Sequence, residues 1–168
     1  MMVVREFKMQ VSAMQTTRAA IDNFLHLRRI AVVGVSRNEK DFSRMLWAEF
    51  RKHGYDLVPV NRNAESIDGL PAYPDLPSID PPPEGVLLMV PAGESLEPVR
   101  PAVRIGVRGI WFYRALGRGA VLPEAVDLAR KSGCDVVAGE CPFMFLPQSG
   151  APHSWHRVWK SLTGTLPR

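Results

Sequence analysis

Apolar runs and amphipathic stretches alternate along this chain with short polar breaks between them. Residues 16–27 place Ile21, Phe24 and Leu25 at helical spacing, with Thr16 or Thr17 as N-cap. Residues 30–35 then form an apolar run broken only by Gly34, which reads as a buried strand. A helix is predicted over 43–53 with Met45, Leu46 and Phe50 inward, closed by Gly54. A second strand spans 55–60, with Pro59 marking where its ladder runs out. Residues 61–83, rich in Pro, Asp and Asn, hold short elements at best. The run over 85–90 is apolar on both faces, as a central parallel strand is. A helix over 95–105 follows, with Pro98 in its first turn, Pro101 close behind and Gly106 ending it. A fourth strand over 108–113, a helix over 122–132 starting at Pro123 and capped by Gly133, and a short fifth strand over 135–138 complete the pattern.

Such β-α repeats with short loops predict an α/β fold: a single doubly wound, mainly parallel, five-stranded Rossmann-like sheet. Helices cover both faces, and a C-terminal helical tail follows. The predicted organisation is a leader over 1–15, a domain over 16–141, and an apolar extension over 142–168 packing on it. Ligands of such sheets lie outside the carboxyl ends of the strands. The rim residues are therefore Gly34, Ser36, Arg37 and Lys40 after the first strand, with Ser43 opening the helix beyond. Asn61, Arg62 and Asn63 follow the second strand, Val90, Pro91, Ala92 and Gly93 the third, and Tyr113 and Arg114 the fourth. This rim reads as basic and rich in hydrogen-bond donors.

The first turn aims backbone N–H groups and a helix N-terminus at one spot, a setting that stabilises phosphate. Gly34 has no glycine at the second or fifth position after it, so G-x-G-x-x-G is incomplete, and the Walker pattern is missing. Asn61 and Arg62 stand where NAD recognition uses a carboxylate for the ribose, which favours a phosphorylated ribose. The plainer alternative makes Asn61 and Asn63 turn residues and Arg62 a solvated side chain.

Composition narrows the field. The chain has 168 residues and a formal net charge of +4, from arginine far more than lysine. Scattered basic residues argue against a nucleic-acid footprint and suit an anionic small ligand. The 2 cysteines, Cys134 and Cys141, make no disulfide framework. No apolar run approaches the roughly 20 residues of a membrane span. Cytoplasm is the expected compartment.

Three groups are candidates for chemistry. Cys141 follows the last strand, yet a reactive thiol needs a nearby cation or helix terminus, so a structural cysteine is preferred. His153 and His156 with Cys141 could make an open zinc site, but no C-x-x-C or H-E-x-x-H accompanies them. Trp155, Val158, Trp159 and Leu162 make a packing stripe or a homodimer contact the better reading of that segment. Ser36 lacks the His and carboxylate of a nucleophilic serine. No catalytic set and no metal site are assigned.

Gly34-Val35-Ser36, Gly54-Tyr55, Pro59-Val60-Asn61, Val90-Pro91-Ala92 and Trp111, in this order, resemble the small bacterial CoA-binding-domain proteins. These are similar to the CoA-binding domain of the succinyl-CoA synthetase alpha subunit. The resemblance implies coenzyme A or an acyl-CoA as ligand. Ser36, Arg37 and Lys40 would then serve its phosphates, with Gly34 and Ser43 also among the cofactor-binding residues. Asn61 and Arg62 would lie by the 3′-phosphate ribose and adenine, Val90 to Ala92 would pack on adenine or pantetheine, and Tyr113 would sit on the rim. Arg62 stands where many members carry proline, and Gly139-Glu140-Cys141-Pro142 replaces an aspartate-arginine-cysteine run. The expected function is a binding or regulatory module without chemistry of its own. Alternatives are an NADP- or NAD-binding oxidoreductase or redox sensor, and a ligand-free protein-interaction domain.

Overall fold

Strands with no polar face need cover on both sides, and the computed structural model shows how the chain supplies it. The structure describes residues 16–113 and 119–147. Four α-helices are found among them: α1 (Arg18–Leu25), α2 (Phe42–Lys52), α3 (Leu96–Arg104) and α4 (Pro123–Lys131). The strands are β1 (Arg29–Val33), β2 (Asp56–Val60), β3 (Ser66–Ile67), β4 (Leu70–Pro71), β5 (Gly85–Leu88), β6 (Gly109–Phe112) and β7 (Asp135–Ala138). Five form one sheet in the order β2-β1-β5-β6-β7, and every pairing in it is parallel. The doubly wound Rossmann-like fold expected from the sequence is therefore observed.

Alternation along the strands divides the core into two layers. Ile30, Val32, Leu87, Trp111 and Val137 face α1 and α2, whereas Ala31, Val33, Val86, Leu88, Ile110, Phe112 and Val136 face α3 and α4. Gly85 lies on the first side, where an added Cβ would come within 2.6 Å of Leu27 Cδ1. The missing side chain lets the end of α1 settle onto the sheet. Phe24 meets Trp111 edge to face at 5.3 Å, and the Trp111 indole donates to the Glu140 carbonyl at 2.8 Å.

Two local expectations are corrected. Met45 does not point inward: it is 57% exposed, and Trp47 is buried in its stead. The helix opens at Phe42, capped by the Asp41 side chain, so its inward stripe is Ser43, Leu46, Trp47 and Phe50. Met45 lies about 150° round the axis from the centre of that stripe, and burial of the indole sets the stripe's direction. Ser43 therefore sits inside the first turn and does not begin the helix. The other bounds differ by at most two residues, and the link 61–83 contains the hairpin β3–β4. Residues 142–147 fold over the first layer with Phe143 and Leu146 buried. The leader 1–15, Arg114, the histidines His153 and His156, and the aromatic stripe to Leu162 lie outside the described residues.

Candidate functional site

In a doubly wound sheet the chain leaves β1 toward one edge and β5 toward the other, which opens a crevice between the two loops. A cavity of about 1170 Å³ lies there. Residues 33–38 and Asp41 line one wall, and residues 60–63 with Pro74, Asp75 and Leu76 another. Met89, Val90, Gly93, Glu94, Glu97, Pro98 and Pro101 close it. The space exceeds the roughly 1,000 Å³ upper end of pockets for drug-sized ligands, so it has room for a long, extended molecule.

The β1–α2 loop is built by short side-chain bonds to its own backbone. Ser43 Oγ accepts from the Ser36 N–H at 2.9 Å and donates to Asp41 Oδ1 at 2.6 Å. Ser36 Oγ accepts from the Asn38 N–H, and Asn38 Oδ1 from the Lys40 N–H, both at 3.1 Å. The Ser36 hydroxyl proton and the N–H groups of Arg37 and Glu39 meet no acceptor among the described residues. Backbone N–H groups gathered in such a loop can bind an anion. Gly34 makes the loop possible: at φ +92° it passes so close to β5 that an added Cβ would lie 2.9 Å from the Met89 carbonyl and Val90 Cγ1.

Asn61 joins β2 to this loop. Its amide donates to the Val35 carbonyl at 2.9 Å, and its Oδ1 accepts from the Asn63 N–H at 2.8 Å. Asn61 thus acts as a turn residue within this cavity wall. Arg62 is not simply solvated, since its guanidinium donates to Glu97 at 3.0 Å across the opening.

Of the residues read from sequence, the fold brings Gly34, Ser36, Arg37, Asn61, Arg62, Asn63, Val90 and Gly93 together on the cavity. Lys40, Ser43, Pro91, Ala92 and Tyr113 do not line it. Ser43 is buried beneath the loop as its brace. Pro91 and Ala92 belong to a short 3-10 turn, Ala92–Glu94, where the Pro91 carbonyl accepts from the Glu94 N–H at 2.9 Å. Tyr113 faces the first layer, its ring stacked on Phe42 at 5.3 Å and its phenol raised above the ordinary value by burial. Cys141 packs in that layer as well, and Cys134 donates its thiol to the Val107 carbonyl at 3.3 Å. Among the described residues no three of His, Cys, Asp or Glu gather as a metal site.

The basic rim is also corrected. Asp41, Asp75, Glu94 and Glu97 line the cavity, against Arg37 and Arg62. Asp75 comes from the return segment and Glu97 from the start of α3, neither of which counts as the end of a strand, and Glu94 directly follows Gly93 in the turn after β5. Pro98 and Pro101, one helical turn apart and punctuation in the helical pattern, both line the cavity.

Comparison with known proteins agrees with the architecture. A family model described as a CoA binding domain matches residues 28–147. A hypothetical protein from Pyrococcus horikoshii OT3 is similar at 30% identity and a TM-score of 0.66, over 75% of this chain and 87% of that one. A conserved hypothetical protein from Pyrococcus furiosus is similar at 27% identity and 0.60, over 68% and 95%. The dinucleotide-forming acetyl-coenzyme A synthetase 1 of Ca. Korarchaeum cryptofilum shares the fold at 20% identity and 0.62, with 71% of this chain covering 27% of that one. No curated protein sequence matches the chain. No helix among the described residues is long and apolar enough to cross a membrane. The family match spans all five strands of the sheet and every wall of the cavity, and the chain belongs to the CoA-binding-domain family.

Proposed function

We propose that this protein binds coenzyme A or an acyl-CoA in the cavity between the β1 and β5 loops and acts as a binding or regulatory module. The observation that carries this reading is the cavity itself. It is large, it stands at the switch point of a CoA-binding-domain fold, and the 34–41 loop keeps donors unspent. Ser36, Arg37 and the loop N–H groups take the diphosphate, and Gly34 allows the close approach. Arg62 takes the 3′-phosphate, while Val90, Leu76 and Pro98 offer apolar surface to adenine or pantetheine. Ser43 and Asn61 hold the walls in place, and Tyr113 is left out of the contact set. Lys40, exposed at the end of the loop, contributes charge at a distance.

Thermal shift and calorimetry with CoA, acetyl-CoA, dephospho-CoA, NADPH and ATP test this. A ligand at 100 times its Kd stabilises by about 2.7 kcal/mol. For a chain of this size that raises Tm by about 5–10 °C. CoA and acetyl-CoA are expected to give that rise, and Arg37→Ala to weaken CoA binding about tenfold, as loss of a charged hydrogen bond does. A response to NADPH alone overturns the reading.

A further inference from the structure

Arg44, on α2, is only 9% exposed. Arginine is rarely so buried unless it is paired. One of its η nitrogens donates to the Ser36 carbonyl at 3.2 Å, inside the loop that lines the cavity. The other donates to the carboxylate of Asp68. Asp68 forms the turn of the β3–β4 hairpin and holds φ at 49°, a left-handed conformation few side chains adopt. The hairpin is tied to the cavity at both ends. It departs after Asn61–Asn63 and returns through Tyr73, which receives the Asn61 N–H and donates its own to the Pro59 carbonyl, both at 2.9 Å. The next residues, Pro74, Asp75 and Leu76, form the wall opposite the loop. A single guanidinium thus joins two walls from segments about 30 residues apart, and neither Arg44 nor Asp68 lines the cavity itself.

We infer that Arg44 and Asp68 are a positioning pair for the ligand site, setting the distance between the anion loop and the opposite wall. This rests on the proposed CoA reading for its ligand and on the geometry alone for its effect on the loop. A buried ion pair is a poor source of stability, because desolvation offsets much of its attraction. What it supplies here is placement. The guanidinium fork fixes two acceptors in one plane, which a lysine cannot do.

The test uses the full chain with Asp68→Asn, Arg44→Met and the double variant. Asparagine tolerates the same turn conformation and keeps an acceptor, so only the charge is lost. Asp68→Asn is expected to raise the Kd for CoA about tenfold and to speed amide exchange over residues 34–41 in the ligand-free protein. Arg44→Met is expected to do the same, and the double variant to be no worse than either single one. Glu84→Gln, at the other end of the sheet, serves as a control that lowers Tm and leaves Kd unchanged. Wild-type Kd in Asp68→Asn, or additive effects in the double variant, overturns the inference. If Arg44→Met fails to fold, Asp68→Asn at its exposed turn decides alone. If the wild-type chain binds no CoA, the ligand reading fails, and amide exchange still decides whether the pair holds the loop.

Discussion

Gly34 makes a sharp claim at the scale of one residue. The strand-to-helix turn is legible in sequence because glycine ends an apolar run and Asp41 and Ser43 follow as capping types. What cannot be read there is why glycine is required, since the reason is the backbone just past the end of β5, more than 50 positions away. Alanine at position 34 would meet both a positive φ of 92° and backbone atoms of Met89 at 2.9 Å. Neither can be relieved by a rotamer change. Gly34→Ala is therefore expected to cost about 2–4 kcal/mol in a urea titration and to weaken CoA binding through a displaced loop. A midpoint unchanged from wild type would show that the loop has another conformation available. Tyr113 was misplaced because residues flanking a strand end alternate between layers, and sequence alone does not say which side the last one takes.

At the scale of the element, the central strands were the easiest features to read, because β5 and β6 are apolar on both faces and need no periodicity to be recognised. The hairpin was not readable, because its strands are 2 residues each and carry no pattern. Nor was the brace beneath the sheet. Glu84 accepts from the N–H groups of Arg28 at 2.5 Å and Arg29 at 3.2 Å, and from the Arg108 guanidinium at 2.8 Å. It thereby ties together the amino ends of β1, β5 and β6. The Arg28 and then the Arg29 amide hold its carboxyl below the ordinary value, with a smaller contribution from Arg108. A carboxyl whose pKa is lower folded than unfolded binds more protons in the unfolded chain. Its stabilisation is complete above the unfolded value of about 4.3 and disappears as pH falls through the lowered one. Glu84→Gln is expected to be less stable at pH 7 and to lose less Tm than wild type between pH 5 and 3. Parallel Tm curves over that window would assign the acid sensitivity to other groups.

The electrostatic field belongs to the whole molecule, and here the overall charge misleads. A net charge of +4 and arginine after the strands suggest a basic mouth. Folding instead brings Asp75 from the return segment and Glu94 and Glu97 from around α3 to the same cavity, beside Asp41. Topology places Asp75 and Glu97 there, so a reading of strand ends does not find them, whereas Asp41 and Glu94 directly follow rim residues Lys40 and Gly93. Affinity for the proposed anionic ligand then has to come from directed donors in the loop and from Arg37 and Arg62, against the surrounding carboxylates. Arg62 is already committed to Glu97, and both side chains are more than 60% exposed, so the pair itself contributes little to stability. Removing the carboxylate does two things to an incoming phosphate: it frees the guanidinium and removes a like charge from the opening. At an effective dielectric near 20 and with physiological screening, that amounts to about threefold to tenfold in affinity. Glu97→Gln is accordingly expected to tighten CoA binding by that factor at low salt, with the gain shrinking as salt rises. If Arg62 takes the 3′-phosphate, dephospho-CoA gains much less from the same substitution. Equal gains for the two ligands would place the 3′-phosphate away from Arg62, and no gain for either would mean that the Arg62–Glu97 pair stays closed over the bound molecule.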